Sequence, residues 1–386
     1  MAAGIEQPDS DRSGAGQQLH HLEHDGQGGE LFVIFLVNLA LTVLTLGVYR
    51  FWGKTRIRQY VWSHTSLLGE RLEYTGRGIE MFVGFLFALV LFYAPIIGVY
   101  AWFFSAQPTP GEAPTQEQLQ TLVVISFLLF AVILASVLLY YVALFAAYRY
   151  RISRTSWFSI RGGMEGSAWI YGFLGFGLGL LNGLSLGWTK PWADSVVFKY
   201  RLDRTWFGSR KFTSNLDAGG LYGSYALAWV GAAIAAIVAI VIFLAFAFPV
   251  LRDALRSGTA SPDQLINLQL IMLALYLVPI LTYQILICWY KAALVRNIAA
   301  KLSFEEITFR ADITGSEMFK LRIPNFLLMV FTLGFAYPYV ILRTARFVVR
   351  HLEFQGNIET ATIAQSDIAT PWYGEGLMEF LGVGMI

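Results

Sequence analysis

Side chains able to do chemistry are few in this sequence and poorly grouped. His20, His21 and His24, with Glu23 and Asp25, form the densest set of metal-ligand types. Metal sites hold such ligands on folded elements, whereas this set lies in a polar, Gly-rich N-terminal stretch that reads better as a solvated tail. There is no His-Glu-x-x-His, Gly-x-Ser-x-Gly or phosphate-loop motif. The glycines of Gly172, Gly175, Gly177, Gly179, Gly183 and Gly187 lie in an apolar segment without the strand that a nucleotide fold needs before them. Cys288 is the single cysteine, which excludes an intrachain disulfide and a Cys-rich metal site. The expectation is a protein that is not an enzyme and holds neither metal nor cofactor.

What remains is polar chemistry inside apolar surroundings and basic chemistry beside it. Of 386 residues 56% are hydrophobic and only 14% charged, with a mean hydropathy of +0.55, against roughly a quarter charged in soluble domains. The composition reads as a polytopic membrane protein. Four segments, 81–104, 122–148, 221–248 and 265–290, exceed the ~20 apolar residues that cross the hydrocarbon as a helix. Three more, 31–49, 168–188 and 326–339, are marginal.

Internal repeats decide how the marginal segments are read. Thr45-Leu46-Gly47, then Phe51-Trp52 and Tyr60, returns as Ser185-Leu186-Gly187, Pro191-Trp192 and Tyr200, and again as Thr332-Leu333-Gly334, Pro338-Tyr339 and Phe347. Asn38 and Asn325 precede the outer copies at one distance; the middle copy has Leu178 there and Asn182 nearby. His64, Arg204 and His351 also occupy equivalent places, read as basic anchors. A Gly-x-Glu-[Leu/Met]-Phe element ending at Phe32, Phe82 and Phe319 opens three apolar segments, its glutamate suited to the positive end of a helix. Tyr150-Arg-x-x-Arg-Thr155 matches Tyr200-Arg-x-x-Arg-Thr205. If like elements share a side of the membrane, each marginal segment must enter and leave on the same side. Lys54, Arg56 and Arg58 would each cost about 2.5–3.5 kcal/mol at the bilayer centre.

The expected fold is thus all-α and polytopic: four firm spans plus three Gly/Pro-broken re-entrant or interfacial hairpins, with short cytoplasmic β-like stretches at 71–74, 306–310 and 352–354. The alternative is seven spans. The corresponding division is a disordered polar tail (1–21), a first repeat half (22–165), a second (166–317), a third partial repeat (318–357) and a C-terminal tail (358–386). In this reading 25 of the 28 Lys and Arg fall on one face, cytoplasmic by the positive-inside rule. Both termini lie there too, and the loop 105–120, with Glu112 and Glu117, lies outside.

The run GGELFVIFLVNLALTVLTLGVYRFWGKTRIRQYVW, the later LGWTKPWAD and TLGFAYPYVILRTARF, and Gly374-Glu375-Gly376-Leu377 resemble the YjgN-like family of uncharacterised bacterial inner-membrane proteins. The resemblance extends from Leu22 to Ile386 and implies a bacterial cytoplasmic-membrane location without a chemistry.

Two functions fit. In one, a channel- or transporter-like path runs among the re-entrant elements, lined by Asn38, Asn182 and Asn325 beside turns at Gly47, Gly187, Gly334, Pro191 and Pro338. Other intramembrane polar groups are Gln284, Tyr140, Tyr141 and Tyr283. In the alternative, the protein is a lipid-interacting or membrane-organising protein, or a scaffold subunit. Trp52, Arg56, Arg58, Trp192, Arg201, Arg204, Tyr339, Arg343 and Arg346 would then contact anionic headgroups on the cytoplasmic face. Nucleic acid is set aside because every basic-aromatic patch abuts an apolar segment. The sequence does not fix an oligomeric state.

Overall fold

The computed structural model describes residues 19–107, 113–257, 262–356 and 362–371. Five helical hairpins alternate with short strands among them. Strand β1 (Leu19–His24) leads into a short hairpin, α1 (Gly28–Leu44) and α2 (Arg50–Ser63), followed by β2 (Thr65–Leu67), β3 (Glu70–Arg71) and β4 (Glu73–Tyr74). A long hairpin, α3 (Gly78–Ser105) and α4 (Gln116–Ser153), precedes β5 (Thr155–Trp157) and β6 (Ile160–Met164). A second short hairpin, α5 (Ala168–Leu184) and α6 (Lys190–Leu202), leads to β7 (Thr205–Phe207) and β8 (Arg210–Ser214). A second long one, α7 (Tyr222–Ser257) and α8 (Pro262–Lys301), leads to β9 (Leu302–Phe304) and β10 (Ile307–Ala311). The third short hairpin, α9 (Gly315–Phe331) and α10 (Tyr337–His351), ends in β11 (Leu352–Gln355).

The chain is therefore mostly helical but not all-α. The eleven strands among the described residues form one antiparallel sheet in the order β3-β2-β1-β11-β10-β9-β8-β7-β6-β5-β4. The two outermost strands are consecutive in the chain, separated only by Leu72. That residue's N–H donates to Thr65 while the Thr75 N–H donates to Arg154 on the other side, so the sheet curls nearly into a closed barrel. Strands of two to six residues carry too little alternation to stand out in a sequence, and the β-like stretches 71–74, 306–310 and 352–354 meet only β3, β4, β10 and β11.

Each strand pair is built alike. Four two-residue turns, Leu68-Gly69, Phe158-Ser159, Gly208-Ser209 and Glu305-Glu306, start with a residue at φ between 49° and 56°, as tight antiparallel hairpins require. Every helical hairpin leaves and re-enters between two neighbouring strands. At each joint an N–H, of Asp25, Thr75, Glu165, Asn215 or Asp312, donates to the carbonyl of His64, Arg154, Arg204, Lys301 or His351, at 2.8–3.1 Å. Both ends of each short hairpin thus lie in the same sheet, the arrangement that the repeats require. The hairpins touch in chain order, and the last meets the first through a core of Leu31, Ile57, Tyr60, Val61, Ile341 and Leu342.

Inside the ring, Leu67, Phe207, Phe212, Phe304, Ile307 and Phe354 pack together, and Trp157 lies against Phe207 at 5.6 Å while donating from Nε1 to the Leu67 carbonyl. Ile363 joins this core. Beyond it, Ala364 and Gln365 bond to Ser209, Arg161 and Ser159 across the turn-bearing rim. Leu19–His21, assigned from composition to the polar tail, are strand instead. His20 stacks on Phe354 and His24 bonds to Thr65, while His21 points to the other face, so the histidines do not converge. Residues 1–18, Glu112, and Gly374–Leu377 of the C-terminal tail lie outside the described residues.

Four helices, Gly78–Ser105, Gln116–Ser153, Gly219–Arg252 and Asp263–Lys301, are long and apolar enough to cross a membrane. Their side chains are largely bare of protein, as at Phe87, Phe127, Ile237 and Leu270, which lipid accommodates and water does not.

The glycines of α5 do not break it. The helix is continuous from Ala168 to Leu184, because Gly172 and Gly175 bring its backbone against Val142 and Tyr141 of α4, the small-residue packing that membrane helices favour. A Cβ at Gly175 would lie within 2.6 Å of the Tyr141 ring. Gly175→Val should lower stability by about 1–3 kcal/mol; unfolding in mild detergent measures it, and an unchanged midpoint would show that α4 and α5 are not in contact.

Candidate functional site

The three short hairpins turn at the repeated Thr/Ser-Leu-Gly in one geometry. Leu46, Leu186 and Leu333 all have φ 50°, and Gly47, Gly187 and Gly334 follow at 95°, 91° and 89°. The glycine N–H donates five residues back, to Thr42, Asn182 and Met329, which closes the first helix with a Schellman-type bond. The Thr45, Ser185 and Thr332 hydroxyls then accept the N–H four residues on, from Tyr49, Thr189 and Ala336, and so start the return helix. Pro191 and Pro338 sit in the first turn of that helix, where proline is tolerated, and buried Phe51 takes the same place in the first copy. The hairpins are thus bent by the Leu-Gly pair, and neither proline breaks a helix.

At each tip the leucine projects clear of the protein: Leu46 is 95% exposed, Leu186 79% and Leu333 89%, with Leu44, Leu184 and Phe331 bare beside them. Spacing alone passed over these exposed leucines as candidate site residues; their recurrence before the glycine was the available signal.

Asn38, Asn182 and Asn325 do not meet. The Asn38 Nδ2 donates to the Gly53 carbonyl in α2 and its Oδ1 is buried without a partner. Asn182 accepts from Thr189, while Asn325 donates to Thr344 and accepts from Arg343. Each works within its own hairpin.

The basic and aromatic set divides. Arg58 is buried, donating to the Tyr74 hydroxyl, and Arg201 is buried between the Tyr148 and Phe198 rings at 4.1 and 4.3 Å, so neither is free to reach a headgroup. Trp192, Tyr339, Arg56 and Arg346 are exposed, while Trp52 is half-buried against Tyr49 and Phe82. His64, Arg204 and His351 share one local role. Each side chain donates to the carbonyl four residues back and lies over the ring there, Tyr60, Tyr200 or Phe347, which finishes the return helix with a basic group at its negative end. Of the helix-entry glutamates, Glu317 closes a capping box with Thr314. Glu30 and Glu80 instead accept the Tyr60 and Tyr150 hydroxyls from the returning helices. Burial, with Arg346 and His64 nearby, pushes His24 below its ordinary pKa.

A family model described as "Bacterial protein of unknown function (DUF898)" matches residues 19–380, which takes in the sheet and all five hairpins. The chain belongs to this family. Within DUF898, a 73-residue stretch is 34% identical to inner membrane protein YjgN of Salmonella typhimurium, covering 19% of this chain and 18% of that protein. An 82-residue stretch is 32% identical to inner membrane protein YjgN of Escherichia coli K12, covering 21% of each. The chain spans about a fifth of the length of these curated relatives at that similarity. No solved structure matches this DUF898 chain. Its four apolar helices and the names of its relatives agree on a membrane protein.

Proposed function

We propose that this DUF898 protein is a non-transporting, non-enzymatic protein of the bacterial inner membrane that organises lipid by inserting three helical wedges into one leaflet. The observation that carries the reading is the bare leucine at φ 50° on all three tips. In water both features are unfavourable, since a side chain in the left-handed region costs about 1–2 kcal/mol and an exposed leucine gains nothing. In hydrocarbon the leucine is stabilising. The tips are shallow in this reading: Arg50 opens the return helix only four residues after Leu46, within reach of headgroups by snorkelling. The sheet side carries 25 of the 28 Lys and Arg, against Arg252 and Arg256 near the far ends of the long helices, which supports a cytoplasmic sheet, cytoplasmic termini and four full spans.

A conducting path has less support, because the asparagines bond within separate hairpins and aromatic side chains fill the ring. Depth measurement tests the proposal. With Cys288→Ser as background, single cysteines at positions 46, 186 and 333 carry a fluorophore in nanodiscs containing spin-labelled lipids. All three should be quenched at hydrocarbon depth in the sheet-side leaflet; quenching by aqueous reagents at any two would overturn the wedge reading.

A further inference from the structure

We propose that the groove between α9 and α10 is a site for the phosphate-bearing headgroup of an anionic phospholipid. The inference rests on the wedge reading, which puts α10 at the interface.

The groove has a volume of about 570 Å³ and is lined by Glu317, Lys320, Tyr339, Arg343, Arg346 and Arg350, among others. Arg343, Arg346 and Arg350 are spaced i, i+3 and i+7 and so share one face of α10, with Lys320 across from them on α9. Two of the guanidinium groups are fixed in place. Arg343 donates to Asn325 Oδ1 at 3.2 Å and to the Lys320 carbonyl at 2.7 Å, and Arg346 donates to the Gly26 carbonyl at 2.7 Å. A guanidinium has five N–H donors, so each keeps donors for an oxyanion while its orientation is already set. The Lys320 and Arg350 side chains have no hydrogen-bond or ion-pair partner among the described residues. One carboxylate enters the groove: Glu317, occupied by Thr314 and 3.7 Å from His351 Nε2. Four cations against one anion leave a net excess for a ligand bearing phosphate.

The first hairpin supplies an internal control. Its groove, about 600 Å³, is lined by Val33, Ile34, Arg56, Gln59, Ser63 and Glu73, among others. In the repeat register, 287 residues on, Lys320 stands for Val33, Arg346 for Gln59 and Arg350 for Ser63, while Arg343 repeats Arg56. A general cytoplasmic excess of positive charge would load both copies alike. Here the same scaffold is neutral in one copy and basic in the other, which marks a ligand rather than a topology signal.

The groove also has the direction a lipid needs. Exposed Tyr339 lies at the end toward the Leu333 tip, and Arg350 lies eleven residues along the helix, about 16 Å away, toward the sheet. Acyl chains can run beside Tyr339 into the leaflet while phosphate oxygens meet Arg346, Arg350 and Lys320 by charge-assisted bonds. A soluble phosphate satisfies the same donors, and the test separates the two.

The full chain is purified in neutral detergent, and binding of fluorescent phosphatidylglycerol is measured against phosphatidylcholine. The variant Lys320→Val/Arg346→Gln/Arg350→Ser writes the first groove's residues into the third. It should weaken phosphatidylglycerol binding by at least about tenfold and leave phosphatidylcholine unchanged, whereas Gln59→Ala in the first groove should change neither. Circular dichroism and tip quenching confirm that the variant folds and inserts. Unaltered phosphatidylglycerol binding in the triple variant overturns the inference. Competition by millimolar inorganic phosphate as strong as by the lipid overturns the lipid assignment in favour of a free anion. If the tips insert but the groove shows no lipid preference, this inference fails alone; if the tips do not insert, the wedge reading itself fails.

Discussion

Phe304→Ala should cost about 3–5 kcal/mol of stability, the range for removing a fully packed phenylalanine. Phe304 is 4% exposed and stands opposite Phe212 on one neighbouring strand and Ile307 on the other. Its ring lies 4.7 Å from Phe212 and 6.1 Å from Phe207. The hole left behind is walled by aromatic rings on strands that are held in register by short turns, so it cannot collapse easily. Denaturation in mild detergent, followed through the tryptophans, reads the loss. The same variant separates two functions. If the ring axis were a conduit, shortening Phe304 would widen it and raise solute leak in reconstituted vesicles. We expect destabilisation with leak unchanged, because Phe207, Phe212, Ile307 and Phe354 still close the interior. A rise in leak without loss of stability would return the axis to consideration as a path.

Much of the membrane architecture was legible because it rests on patterns longer than noise. The four helices long and apolar enough to cross a membrane come from apolar runs of more than 20 residues, and the three short hairpins come from Thr/Ser-Leu-Gly recurring with its aromatic partners. The sheet was mostly hidden. Thr65–Leu67 and Leu302–Phe304 are three residues long, and their pairing is set by where helical hairpins end rather than by their own alternation. Gly172 and Gly175 misled as helix breakers, since only the neighbouring Tyr141 and Val142 show why small residues are needed there. Arginine types were visible but their burial was not. Arg58 and Arg346 both lie more than two turns into similar return helices in different copies, yet one is enclosed under Tyr74 and the other opens onto a groove. Such differences come from tertiary neighbours, which spacing does not record.

Leu46→Gly, Leu186→Gly and Leu333→Gly give the sharpest test of the tips, because water and lipid predict opposite signs. At φ 50° glycine relieves a left-handed side-chain penalty of about 1–2 kcal/mol. If the tips stood in water, that relief would dominate and each variant would be more stable than the parent. If they stand in hydrocarbon, each substitution also withdraws a leucine side chain from an apolar medium, worth about 1.5–3 kcal/mol when complete, and the net effect is a modest loss. Aspartate at the same positions enlarges the contrast. Leucine and aspartate differ by about 3–4 kcal/mol at the centre of a membrane helix and by less toward the interface, whereas aspartate tolerates the left-handed region well and would stabilise a tip in water. The three hairpins turn at separate places, so the effects should add, and the triple aspartate variant, with the fluorophores moved to cysteines at the neighbouring exposed positions 43, 183 and 330, should lose tip quenching in nanodiscs while keeping its four long helices embedded. Tips that insert as deeply with aspartate as with leucine would mean that neighbouring Leu44, Leu184 and Phe331 suffice to hold the wedge, and that the turn leucine serves geometry alone.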